Sequence, residues 1–213
     1  MPFLTNIPDF KFISDPIDPV KFEEAKKKYE DRTMMPINGV DLSKDVKVLY
    51  FTAATIELIL SKKELIVARF GCEDANSKYS VLTAVLCAMN KSIVDDNEAM
   101  YIGTNVIGTP NAVIKDINSW RVKEGNYRAR RDILVNSNPN MFKFEMPHGV
   151  AHASIEFKKE WFEKAIANKM TDVAIYFIVF PYHTTVAFVD ARINLSTLIQ
   201  YVIYDQGTGC CPA

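Results

Sequence analysis

Two β-rich segments, Pro181-Tyr182-His183-Thr184-Thr185-Val186-Ala187-Phe188-Val189-Asp190 and Leu198-Ile199-Gln200-Tyr201-Val202-Ile203-Tyr204-Asp205, constrain this chain more than any other stretch. Both are dense in β-branched and aromatic residues with few breakers, and the polar stretch Ala191 to Thr197 between them reads as a hairpin loop. An antiparallel strand pair follows, so the fold must contain a sheet built around it. With a register symmetric about Asn194, His183 lies opposite Asp205. Directly opposed residues have Cβ atoms about 4.5–5.5 Å apart, which lets a carboxylate orient an imidazole and stabilise its charged form. A surface ion pair fits the same register and contributes little.

A His/Asp pair becomes chemically interesting when a thiol can join it, because an adjacent imidazolium favours the nucleophilic thiolate. Four cysteines are available: Cys72, Cys87, Cys210 and Cys211. Cys72 follows Gly71 and precedes a stretch, Ala75 to Asn90, in which Val81, Leu82, Val85, Leu86 and Met89 recur at helical spacing. That spacing predicts a helix with Cys72 near its amino end, where free N–H groups favour a thiolate. Glu73 and Asp74 oppose this, since neighbouring carboxylates favour the neutral thiol. Cys72 also reads simply as the end of a strand, and Cys87 as an inert core residue inside the expected helix.

The rest of the chain supplies an ordinary globular frame. Hydrophobic residues make up 48% and charged residues 24%, which excludes general disorder and fibrous architectures. Lys+Arg 25 against Asp+Glu 26 leaves a net charge of -1, so there is no global attraction to nucleic acid or anionic lipid. No apolar run reaches the ~18 residues of a membrane span, and Met1 to Phe12 has no secretory-signal pattern. The cysteines therefore read as reduced thiols in a cytoplasmic or other reducing intracellular compartment, including that of a host cell. His148 and His152 are spaced like a helical metal pair, but Gly149 and the β-like segment after them argue against a helix, so no metal is expected. No cofactor is implied.

In chain order, residues 1–17 read as an extended arm with Pro2, Pro8 and Pro16 among aromatics, and 18–213 as a single domain. Asp18-Pro19 opens a helix running to about Asp31, with Glu23, Lys26, Lys27 and Glu30 on a solvated face. Val46 to Phe51, Leu65 to Phe70, Phe142 to Phe144, Ala153 to Phe157 and Val173 to Phe180 read as strands; Ala53 to Leu60 and Lys158 to Lys169 read as helices. Glycines and prolines punctuate Ile93 to Asn140, which predicts short strands and loops. Within it, Arg121, Lys123, Arg128, Arg130 and Arg131 form one basic run with Trp120 and Tyr127 interleaved. Such a run can contact nucleic acid or an acidic partner, or can be a solvated loop.

The Gly71-Cys72 pair, the strand opened by His183 and the strand ended by Asp205 before Gln206-Gly207-Thr208-Gly209 together resemble papain-like cysteine peptidases. The nearest flavour is that of the bacteriocin-processing and YopT-type branches. The resemblance covers Phe70 to Leu86 and Val173 to Gly209. It implies an α+β domain with a central antiparallel sheet and a packed helix from the amino-terminal half. It also implies Cys72 as nucleophile, His183 as general base and then acid, and Asp205 as the group that orients the imidazole. The oxyanion-hole glutamine of that family has no counterpart before Cys72, where Ile66 to Gly71 stand instead; a backbone N–H would have to serve. A second resemblance, to adenain and SUMO-protease-like enzymes, many of them viral, uses the same strands but requires Cys210 or Cys211 as the nucleophile. It implies a truncated or inactive relative. The two functional expectations are thus a thiol-dependent hydrolase of peptides or amides and a non-enzymatic structural or interaction protein, viral in the second resemblance, with a local basic contact patch.

Overall fold

The computed structural model describes residues 19–34, 42–62, 65–73, 82–89, 99–137, 154–167, 171–179, 184–190 and 208–210. Helix α1, Pro19–Thr33, begins at the expected proline. Its inward stripe is Phe22, Ala25, Tyr29 and Arg32, all buried at helical spacing, while Glu23, Glu24, Lys27 and Lys28 are exposed. The stripe lies on a later strand: the Phe22 ring meets Tyr176 edge-on and Tyr29 stacks on Phe177. Strand β1, Val48–Thr52, passes directly into helix α2, Ala53–Leu60. Thr52 caps that helix, its hydroxyl accepting from the Thr55 N–H at 3.3 Å.

Strand β2, Leu65–Cys72, pairs antiparallel with β3, Leu82–Met89, which pairs in turn with β4, Met100–Ile102. The two-residue β5, Val113–Ile114, sits at that edge. Helix α3, Ile117–Ser137, comes next, followed by β6, Ser154–Lys158, and helix α4, Lys159–Ala167. Strands β7, Asp172–Val179, β8, Thr184–Asp190, and β9, Thr208–Cys210, complete the described elements. Two antiparallel sheets result, one ordered β1-β7-β8 and one ordered β5-β4-β3-β2-β6-β9. The chain is an α+β fold.

The strands of the larger sheet show why its segments are apolar with no alternation. Ile66, Ala68 and Phe70 of β2 and Ala84, Leu86 and Ala88 of β3 face Leu49, Phe51, Val173, Ile175 and Phe177 of the smaller sheet. Val67, Val85 and Cys87 point the opposite way, into a second apolar cluster closed by Trp120 of α3. A sheet covered on both faces has no wet side to record in its pattern. The two sheets are stitched at one edge as well. Asn111 donates to the carbonyls of Tyr50 and Ile102, both at 2.9 Å, and accepts from the Thr52 N–H at 3.0 Å.

Several expectations need correction. Residues 82–89 are strand β3 and not the second half of a helix; the earlier part of that expected helix, 75–81, lies outside the described residues. Helix α3 fills 117–137, where short strands and loops were expected, and it is α3 that lies along β2. Cys72 ends β2 and has no helix amino terminus after it in the described residues. By contrast α1, α2, β1, β2, β6, α4 and β7 form within a residue or two of where periodicity and propensity put them, and β8 ends at the expected Asp190 and is described from Thr184. The expected arm 1–17, the strand at 142–144 and the hairpin strand 198–205 lie outside the described residues.

Candidate functional site

Among the described residues, four of the six buried charged side chains, Asp45, Arg69, Glu124 and Arg130, gather where α3 crosses the carboxyl-terminal half of β2, and Gly71 is the reason the helix can reach it. A Cβ at Gly71 would stand 2.9 Å from Lys123 Cβ and 3.0 Å from Trp120 Cη2, so only glycine lets α3 cross the strand this closely. From that crossing the helix sends side chains to both sides. Asn126 donates to the carbonyls of Cys72, at 3.2 Å, and Glu73, at 2.6 Å, tying off the strand end. Lys123 pairs with the exposed Glu73.

On the core side, Arg130 reaches in from α3 to a carboxylate and a sulfur. Its Nη1 lies 2.8 Å from Asp45 Oδ1 and its Nη2 donates to Asp45 Oδ2 at 2.9 Å. The same Nη1 contacts Cys72 Sγ at 3.5 Å. Asp45 stands in the turn before β1 and also accepts from the Leu82 N–H at 3.1 Å, which joins that turn to the start of β3. All three residues are buried, and Cys72 is 0% exposed. Burial alone lowers the pKa of Arg130; the charge and hydrogen bonds of Asp45, then those of Cys72, more than offset it, and the net direction is upward. The guanidinium therefore stays cationic inside the core.

On the other face, Arg69 of β2 meets Glu124 of α3 in a second buried pair. Nε donates to Oε1 at 2.5 Å and Nη2 to Oε2 at 2.8 Å, the parallel fork that a guanidinium offers a carboxylate. Trp120 Nε1 adds a donor to Glu124 Oε1 at 3.2 Å, and Arg69 Nη1 points at Met100 Sδ at 3.7 Å.

Of the expected catalytic residues, Cys72 is described and His183 and Asp205 are not. Cys72 and Val179 share one core cluster, and Phe70 touches Phe177 at a ring separation of 5.6 Å. Val179 pairs with Thr184, the residue after His183. Cys87 is buried, its Sγ 3.9 Å from the Val67 carbonyl. Cys210 belongs to β9, paired across from Ser154, and Cys211 is outside the described residues. The basic run is divided: Arg130 faces the core, Lys123 pairs with Glu73, Arg128 is half-buried and Arg121 is exposed. Its described side chains do not form one continuous basic face, and that of Arg131 lies outside the described ones. His148 and His152 lie outside the described residues, among which no group of three or more His, Cys, Asp or Glu is placed to hold a metal. No described helix is long and apolar enough to cross a membrane.

Asp45, Arg69, Glu124 and Arg130 were not singled out as a site by their positions alone. One signal was present: Arg69 interrupts Leu65-Ile66-Val67-Ala68 and Phe70, and a charge inside a buried strand demands a partner. Comparison with protein families, with curated proteins and with solved structures found no match to this chain.

Proposed function

We propose that this chain is a non-enzymatic interaction or structural protein in which Cys72 is a packing and hydrogen-bonding group. One observation carries this: the Cys72 sulfur has no exposed surface and its neighbouring cation is already matched by Asp45. Reactive cysteines sit in electropositive, partly exposed surroundings, whereas buried ones are inert. A substrate carbonyl would need a path to the sulfur, and a thiolate there would add a second anion to a pair already neutral. The exposed side of α3 presents Arg121 and Val122 with Gly125, Ala129 and Asp132. That mixed surface suits a protein partner better than a phosphate backbone, which selects a continuous run of cations. Neither Cys72 nor Cys87 is in a disulfide, in keeping with a reducing compartment.

A second reading is favoured by the guanidinium at 3.5 Å from Cys72 Sγ, an arrangement that stabilises a thiolate. It is a thiol-dependent hydrolase in which Cys72 attacks a peptide or amide carbonyl. His183 takes the thiol proton and returns it to the leaving amine, Asp205 orients the imidazole, and water releases the acyl group. The contact of Phe70 with Phe177 supports it by joining the end of β2 to the strand that precedes the His183 segment. Iodoacetamide labelling of the folded chain at neutral pH decides between the two. The first reading expects Cys72 to label as slowly as Cys87. Faster labelling of Cys72 that His183→Ala abolishes would replace it with the hydrolase.

A further inference from the structure

We infer that Arg130 is a shared counter-cation, held by Asp45 and poised to pass to Cys72, so that the charge on Asp45 decides whether the buried sulfur is a thiol or a thiolate. The inference goes beyond the first functional reading and rests on its thiol state for Cys72 in the wild-type chain; slow iodoacetamide labelling tests that reading, and the variants below test the inference. A guanidinium cannot shed its proton, and a buried cation with no anion beside it is strongly destabilising. Arg130 therefore requires one negative partner within reach of its fork. Asp45 holds that place with two contacts, at 2.8 Å and 2.9 Å. The sulfur of Cys72, at 3.5 Å from Nη1, is the other ionisable group that Arg130 contacts among the described residues.

The surroundings restrict the response to a lost carboxylate. Strand β3 offers Asp45 the Leu82 N–H, α3 offers the Cys72 and Glu73 carbonyls the Asn126 amide, and Lys123 pairs with the exposed Glu73 at the strand end. The Nε of Arg130 makes no hydrogen bond, and Asp45 and Cys72 are the ionisable groups that the guanidinium contacts among the described residues. With an amide in place of the carboxylate at neutral pH, the thiol gives its proton to bulk water and one sulfur anion then faces one cation. This is a charge-transfer of counterion roles and needs no redox partner.

The test uses the full chain in four forms: wild type, Asp45→Asn, Cys72→Ser, and Asp45→Asn with Cys72→Ser. Expected at neutral pH is the ultraviolet absorbance of one additional thiolate in Asp45→Asn that is absent from wild type and from the double variant. In urea unfolding, Cys72→Ser is expected to lower the folded-to-unfolded ratio at least about tenfold more in the Asp45→Asn background than in wild type, because only there does it remove the counterion of Arg130. A folded Asp45→Asn without the added absorbance overturns the inference, and so does a Cys72→Ser effect that is the same in both backgrounds. If Asp45→Asn does not fold at neutral pH, raising the pH to about 9, where a thiol ionises more readily, is expected to restore folding to it and not to the double variant, and failure to do so overturns the inference.

Discussion

Helix α3 carries two buried arginine–carboxylate pairs on opposite sides of one strand, and they are not built alike. Around Arg69, the carboxylate of Glu124 receives a two-pronged fork and a third donor from Trp120 Nε1. Around Arg130, Asp45 also receives two guanidinium contacts and a backbone N–H, but a sulfur stands within reach and the guanidinium Nε has no acceptor. The first pair is a two-pronged fork that ties helix to sheet, with the Trp120 donor bracing the carboxylate from within the helix. The second has one cation and two groups able to answer it. A charge pair with a spare acceptor can change state without breaking, whereas a pair without one can only hold or fail.

The largest expected effect comes from breaking the first pair. Glu124→Gln removes the carboxylate that the buried Arg69 fork receives and is expected to cost about 3–5 kcal/mol in urea unfolding. Asp45→Asn should cost clearly less, because Cys72 can take over as counterion; equal losses in the two variants would erase the contrast between the sites. Gly71→Ala pushes a methyl group toward Lys123 and Trp120 at the point where α3 crosses, and overpacking of this kind costs about 1–3 kcal/mol. Since both pairs depend on that crossing, the substitution should reduce the difference between the Glu124 and Asp45 variants when combined with each in unfolding experiments. Smallest is an effect away from both. Burial, then Tyr50 and Glu23, raise the pKa of Tyr176 to about 12 from its ordinary value near 10. The folded chain keeps this proton where the unfolded chain loses it, so the contribution is intact below about pH 10 and disappears as pH rises toward 12. Tyr176→Phe should flatten the stability profile in that window alone, and an unchanged slope there would show that the tyrosine titrates freely.

The outer parts of the fold were easy to foresee and its middle was not. Pro19 at a helix start, the β-branched runs at 173–179 and 184–190, and the apolar octet Ala53–Leu60 each carry a local cause that tertiary contacts did not override. Strand β3 was misread because Leu82, Val85, Leu86 and Met89 satisfy a helical stripe as well as a strand buried on both faces; only the cover from α3 and from the second sheet distinguishes them. Helix α3 was missed for the opposite reason. Its inward positions include Glu124 and Arg130, polar residues whose partners lie more than fifty positions away, so no apolar stripe marks the buried side. The same long reach hid the site. Cys72 stood out as a thiol beside a glycine, but nothing local to it names Asp45 or Arg130. The residues expected to join it, His183 and Asp205, are not among those described.

The three contacts of Asn111 bear on the order in which the chain can assemble. That amide, with the backbone bridge between Tyr50 and Thr104, fastens β1 to the edge of the larger sheet, while β1 finds its own strand partner, β7, only after β2 to β6 and α3 have followed it in the chain. Such distant pairing makes for slow, late closure, and the segment holding Thr104 and Asn111, which is made well before β7, would shorten the interval in which β1 is open to other chains.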